Sequence, residues 1–270
     1  MYNKLLDDLF DEWENQLTEE TKEKFCRDGL MRRPSGEDVN ALWGSATRRV
    51  AFLLKDKSDN SCDDIRNWLV NDNDNGKYSR ELKGGKIGRT GFLPNIARML
   101  YGLLNVSIKD NNPLGFDDVK SKMQDVQKTW NNAPVALIET KKNAGGDTVS
   151  NADMQKALNQ DNERLKEELN ILKANILVCC DANDSQFKFV TKHFFPNTEP
   201  EKYEYRYTIQ KNESEVIVEE MKPCCLWYYP DHNVVVIKSY HPTRLGKQEW
   251  MIYERTISPF RKFLRDHTDF

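Results

Sequence analysis

A three-layer α/β domain built on a mainly parallel sheet is the fold this sequence predicts, and three observations predict it. Four apolar runs, at 50–54, 134–139, 175–180 and 234–239, have the length and continuity of strands buried on both faces. Stretches with apolar residues at helical spacing lie between them. Each run empties into a polar turn before the chain continues. Alternation of this kind puts helices on both faces of a parallel sheet. Neither a repeat nor a break in composition divides the chain. Residues 1–270 are therefore read as one domain, with a helical segment over about 1–48 and a core over about 49–270.

The elements follow in order. Leu5, Leu6, Leu9, Phe10, Trp13 and Leu17 recur at helical spacing and predict an amphipathic helix over 3–17. Gly29 and the Pro34-Ser35-Gly36 cluster break the pattern. Arg49 leads into Val50-Ala51-Phe52-Leu53-Leu54, the first strand, and the charged turn 55–60 follows it. Asp63 and Asp64 open a short helix, where acids suit the first turn. Residues 71–90 are polar and glycine-rich and read as a long loop. Its Gly-Gly-Lys and Gly-Arg-Thr-Gly pieces lack the spacing of a nucleotide phosphate loop. Helices are expected over 92–104, with Ile96, Met99, Leu100 and Leu103 on the apolar face, and over 116–130.

The second strand, 134–139, empties into Thr140-Lys141-Lys142-Asn143. A long helix from Asn151 to about 173 presents a solvated charged face. The third strand, 175–180, precedes a short helix from about 184. Tyr203, Tyr205, Tyr207 and Ile209 alternate with polar residues, then a turn, then Val216 and Val218, which predicts a β-hairpin insert over 203–220. Its tyrosine stripe suits one packed face of a sheet, or a platform for bases. Residues 224–229 form a further strand, 234–239 closes the four-stranded parallel sheet, and a terminal helix over 248–266 breaks or restarts at Pro259.

Composition excludes several classes. A formal charge of −3 gives no global pull towards nucleic acid, so such a partner must meet a local basic patch. No run approaches the roughly 18–20 apolar residues of a membrane span. Acids near the N-terminus stand where a secretory signal would be apolar. The six cysteines are Cys26, Cys62, Cys179, Cys180, Cys224 and Cys225, with no Cys-x-x-Cys. They read as reduced core residues of a cytoplasmic protein, with no metal or cofactor and no membrane partner.

The turns carry the chemistry. If the strands at 50–54, 134–139 and 234–239 are parallel neighbours, their carboxyl-end turns share one crevice. That gathers Asp56, Glu139, Lys141, Lys142 and His241. Pro242 holds His241 extended. Two carboxylates and a histidine suit hydrolysis of a bond whose leaving group becomes anionic, and lysines suit phosphates. Taken singly, His241 also reads as a cap for the next helix, Asp56 as a turn acid and the lysines as solvated charges. Their coincidence at three strand ends favours a site.

These turns resemble the motifs of the uracil-DNA glycosylase superfamily, as in a divergent bacterial-type member. Phe52-Leu53-Leu54-Lys55-Asp56 is similar to the family's first motif, in which a strand delivers an acid. Ala136-Leu137-Ile138-Glu139 is similar to the segment carrying the base-reading residue, and 172–180 resembles the third strand. Ser239-Tyr240-His241-Pro242-Thr243 is closest to the family's His-Pro-Ser motif. The resemblance spans roughly 49–250, with unmatched inserts at 71–90 and 197–225.

The resemblance implies a monofunctional DNA glycosylase. It would hydrolyse the N-glycosidic bond of uracil or another damaged or modified base and leave an abasic site. DNA is the implied partner, through a base flipped out of the stack at a cost of a few kcal/mol. His241 would stabilise the departing base and Asp56 would position water or the sugar cation. Glu139 and Phe92 would read and stack on the base. Lys141, Lys142, Thr243 and Arg244 would meet DNA, and Leu245 would fill the gap in the stack. Two positions depart from the pattern. Glu139 stands where the family has asparagine, and an ionised carboxylate only accepts hydrogen bonds, which suits a base with an exocyclic amino group. Lys55 replaces a small residue before the acid. A recognition module of the same fold, inactive or weakly active, and a nucleosidase-type hydrolase are the alternatives.

Overall fold

The computed structural model describes residues 1–33, 36–55, 64–70, 91–145, 149–181, 183–206, 224–243 and 249–270. The apolar runs form a single mixed sheet. Its strands are β1 (Gly29–Leu30), β2 (Val50–Leu54), β3 (Ala136–Glu139), β4 (Ile176–Cys179), β5 (Glu201–Tyr205), β6 (Cys224–Tyr229) and β7 (Val234–Lys238). They lie in the order β1-β3-β2-β4-β7-β6-β5. The four expected apolar strands are the parallel centre, β3-β2-β4-β7. The sheet has seven strands rather than four, because β1, β6 and β5 add antiparallel edges. β5 pairs with β6, so the first strand of the expected hairpin continues the sheet. The rest of that insert, 207–223, lies outside the described residues.

Ten helices are described, α1 (Tyr2–Glu14), α2 (Glu19–Lys22), α3 (Val39–Ser45), α4 (Phe92–Asn105), α5 (Phe116–Ser121), α6 (Met123–Asn132), α7 (Asn151–Gln160), α8 (Asn162–Leu172), α9 (Ser185–Phe194) and α10 (Glu249–Asp266). Successive residues of a strand point to opposite faces, and each face has its own core. Val50, Phe52, Leu137, Val178 and Ile237 pack with apolar residues of α4, α5, α6 and α10. Ala51, Leu53, Ile138, Leu177 and Val236 pack with α1, α3, α7, α8 and α9.

Three helical expectations need correction. The helix expected over 116–130 is two helices, with Lys122 between them at φ −106°, ψ 33°. The one expected over 151–173 breaks at Asp161, at φ −105°, ψ 11°, so that α7 lies against α9 while α8 lies against α1. The terminal helix runs unbroken through Pro259. Proline removes one helical hydrogen bond, and a side-chain clip spans that turn. Ser258 Oγ donates to Glu254 Oε2 (2.5 Å), and Arg261 Nη2 donates to Ser258 Oγ (2.7 Å) and to Glu254.

Two glycines set close approaches. A Cβ on Gly29, at φ +104°, would lie 2.9 Å from Leu6 Cδ1, so glycine lets β1 pass under α1. A Cβ on Gly102 would lie 2.6 Å from Tyr253 Oη and 2.8 Å from Ile257 Cδ1. Glycine there brings α4 and α10 into contact, and the Tyr253 hydroxyl donates to the Leu114 carbonyl (2.8 Å).

Candidate active site

The order of the parallel strands fixes where a site belongs. From β2 the chain steps to β3 on one side, then crosses back to β4 on the other. In open α/β sheets a crevice opens outside the carboxyl ends of the strands where the order reverses. Here that is the edge carrying Leu54 and Lys55, Glu139 and Thr140, Cys180 and Asp181, and the turn after Lys238.

Backbone bonds hold these ends in register. Thr140 N donates to Leu54 O (3.0 Å), Lys141 N to Lys55 O (2.9 Å), Cys180 N to Leu53 O (2.9 Å) and Ser239 N to Cys179 O (2.9 Å). Gln186, fully buried at the start of α9, locks three of the turns together. Its Nε2 donates to Leu54 O (2.5 Å) and to Thr140 Oγ1 (2.7 Å), and its backbone N donates to Asp181 Oδ2 (3.0 Å). The Thr140 hydroxyl also donates to Leu54 O. Asp181 is almost fully buried. Burial holds its carboxyl above the usual range, while the Gln186 and Ser185 N–H groups act against that; Asp184 raises it and Lys55 lowers it.

The His241 turn is held from the other layer. Ser239 Oγ lies 2.8 Å from Thr256 Oγ1 on α10. Asn95 Nδ2 on α4 donates to the Pro242 carbonyl (2.7 Å), Arg98 Nη1 donates to Asn95 Oδ1 (3.0 Å), and Arg98 pairs with Glu249 (3.1 Å). This buried chain fixes the carbonyl next to the histidine. The Thr243 backbone N–H donates to His241 Nδ1 (3.3 Å), and the Thr243 hydroxyl sits 2.8 Å from the same nitrogen. A backbone N–H only donates. Nδ1 is therefore the acceptor, and the neutral ring carries its proton on Nε2. Burial, with the Lys55 ammonium adding to it, pushes the His241 pKa down to about 4, so the ring is neutral at physiological pH. The Phe92 ring, at the first residue of α4, lies 6.0 Å from the His241 ring at 32°, and Trp68 stands edge-on to Phe92 at 6.4 Å.

The predicted residues divide clearly. His241, Phe92 and Thr243 come together, with Thr243 orienting the histidine. Glu139 is at the same strand edge, 2% exposed, with its backbone N–H on Asp28 Oδ2 (2.5 Å). Glu139 and Asp181 both act on the buried Cys180 thiol, which burial pushes up. Lys141 turns back on its own loop, its ammonium donating to the Asn143 carbonyl (2.5 Å). Lys142 is a correction. It is 1% exposed and its ammonium lies between Asp28 (2.5 Å) and Glu168 (2.7 Å), which are themselves fully buried. A lysine enclosed by two carboxylates is an interior ion group, so it does not form a DNA-facing rim. Asp56, Arg244 and Leu245 lie outside the described residues. Asp181, Gln186, Asn95 and Arg98 escaped the sequence reading. Asp181 follows a strand as Asp56 does, and that signal could have found it. Asn95 and Arg98 sit within an apolar helix pattern, and nothing local marks them.

Among the described residues no group of three or more His, Cys, Asp or Glu is placed to hold a metal ion. Within the same residues no helix is long and apolar enough to cross a membrane. Comparison with family models, with curated proteins and with solved structures gives no match.

Proposed function

We propose that this chain is a monofunctional N-glycosyl hydrolase that releases a base from DNA, with the architecture of the uracil-DNA glycosylase superfamily. One observation carries the reading. A neutral imidazole, locked by Thr243 with its proton on Nε2, stands beside an aromatic ring at the carboxyl edge where the strand order reverses. A neutral Nε2–H donates to the oxygen or nitrogen on which charge collects as the base departs. The Lys55 cation acts on the same region, since it influences both His241 and Asp181. That supports stabilisation of an anionic leaving group. The Phe92 ring is suited to stack on an extruded base.

In the reaction the bond between the base nitrogen and sugar C1′ breaks, water adds to C1′, and a proton reaches the released base. Asp56 serves as the carboxylate that orients the water or stabilises the sugar cation. Glu139 accepts from an exocyclic amino group, which favours a cytosine-like or otherwise amino-bearing base over uracil. No lyase step is included.

The test is a panel of end-labelled oligonucleotides, each with one altered base, treated with alkali after incubation to break abasic sites. Release of one base, lost in His241→Ala and Asp56→Ala, supports the proposal and names the substrate. Binding without release across the panel overturns the catalytic reading in favour of a recognition module. Activity on free nucleosides alone transfers the site to a nucleosidase.

A further inference from the structure

The opposite edge of the sheet carries a second cavity. It is half-enclosed, about 520 Å³, and lies against Arg49, Asn175 and Val234, which stand at the amino ends of β2, β4 and β7. Strands of four and five residues separate it from the His241 crevice by roughly 13–17 Å. Its size falls within the roughly 300–1,000 Å³ of small-molecule sites. The remaining wall comes from the carboxyl ends of α8 and α9 and from the turn before β7.

The lining has one sign of charge. The cations Arg49, Lys166 and Lys173 face the cavity with the imidazoles of His193 and His232, and among the described residues no aspartate or glutamate lines it. The whole chain has 43 acidic and 40 basic residues, so an acid-free lining departs from its average. Lys166 is paired outwards with the exposed Glu163 (3.0 Å). Among the described residues Arg49 and Lys173 have no carboxylate partner. Arg49 Nε donates to the Lys173 carbonyl (2.9 Å), which draws the guanidinium to the cavity wall and leaves its two amino groups for a ligand. Lys173 and Asn233, both on the lining, hold left-handed backbone conformations at φ 49° and φ 50°. Each closes the carboxyl end of a helical segment, Lys173 after α8 and Asn233 after the 230–232 turn, which sets the shape of this wall. Burial, followed by the ammonium groups of Lys192 and Lys166 and opposed by Glu163, holds the His193 imidazole below its usual pKa. Phe194 and the two imidazoles supply flat apolar surface beside the cations.

Two unpaired cations beside rings in one cavity suit a ligand with an anionic group and a planar ring. We propose that this amino-edge cavity binds a nucleoside monophosphate, with the phosphate on Arg49 and Lys173 and the base against Phe194 and the histidines. The site is separate from the His241 crevice and does not rest on the activity proposed there.

Isothermal titration of the full chain with dAMP, dTMP and inorganic phosphate tests it. Saturable 1:1 binding of a monophosphate is expected, with inorganic phosphate at least about tenfold weaker, because it lacks the ring. An Arg49→Gln/Lys173→Asn double variant keeps the backbone preferences, since asparagine tolerates the left-handed region. Losing two charge-assisted contacts should weaken binding by about tenfold or more. His241→Ala should bind as the wild type does. In the wild type, the imidazole resonances of His193 and His232 should move on titration, a readout that needs no variant. No saturable binding up to about 10 mM overturns the proposal. So does unchanged affinity in the double variant, or loss of binding in His241→Ala alone. Phosphate binding as tightly as the nucleotides removes the base from the assignment and overturns the nucleotide class.

Discussion

Replacing Lys142 with methionine tests whether the interior ion group governs the stability of the α1–α8 layer. The ammonium lies 2.5 and 2.7 Å from the Asp28 oxygens and 2.7 Å from Glu168 Oε2. At an effective dielectric of about 20, the contact with an ionised Asp28 is worth roughly 6 kcal/mol of attraction. Desolvation removes several kcal/mol per ion, so the intact group contributes little net stability. Methionine deletes the attraction and leaves two buried carboxyl groups with no cation between them, which costs about 3–5 kcal/mol. For a chain of 270 residues that lowers Tm by roughly 6–20 °C. The pH dependence supplies a second signature. Burial, and then the charge of Asp28, hold the Glu168 carboxyl well above its usual value. A carboxyl raised on folding binds more protons in the native state, so stability rises as pH falls. Without the ammonium this effect grows, and the deficit of Lys142→Met should shrink between about pH 7 and about pH 5. Urea denaturation at both pH values measures it. A variant within about 1 kcal/mol of the wild type at neutral pH refutes the interior group. A deficit that widens on acidification does the same.

Further outcomes are expected. Gly102→Ala places a methyl 2.6 Å from Tyr253 Oη and should cost about 1–3 kcal/mol in urea unfolding; a neutral result would mean that α4 and α10 have room to separate. Asn95→Leu strips the Pro242 carbonyl of its donor, so about 1–3 kcal/mol of stability should be lost, and kcat for base release should fall more than KM rises. The acid limb of kcat/KM should lie near pH 4, since the folded His241 pKa is depressed from 6.5 to about 4 and the active ring is neutral. Removing the neighbouring cation in Lys55→Gln should move that limb upwards; a limb that stays put would sever Lys55 from the histidine. Glu139→Asn should create or raise uracil release, and ordinary uracil release by the unaltered protein would count against the amino-bearing base.

The central strands were legible because their signal is local. Val50 to Leu54 and Val234 to Ile237 are unbroken apolar runs, and a strand covered by helices on both faces requires that. β1 was not legible. Two residues, Gly29 and Leu30, carry no period, and their place in the sheet depends on Gly29 passing beneath Leu6. The break at Asp161 was hidden for a related reason. No glycine or proline marks it, and it follows from two helices seeking different partners. At the site, Pro242 advertised the His241 turn and the ring neighbour Phe92 was found through the resemblance. Lys142 misled because sequence equates a lysine after a strand with solvent. Its burial depends on Asp28, 114 residues away, and on Glu168 of helix α8.

The crevice has two walls with different owners. His241 is held by Asn95, Arg98 and Thr256 of the α4–α10 layer, whereas Leu54, Thr140 and Asp181 are tied by Gln186 of α9 in the opposite layer. The two groups of supports belong to separately packed cores. Changes confined to one core therefore leave the other wall's supports intact. Repacking around Gln186 can therefore shift the Leu54, Thr140 and Asp181 turns while the imidazole keeps its orientation. The same division leaves the two sides of this strand edge free to vary independently.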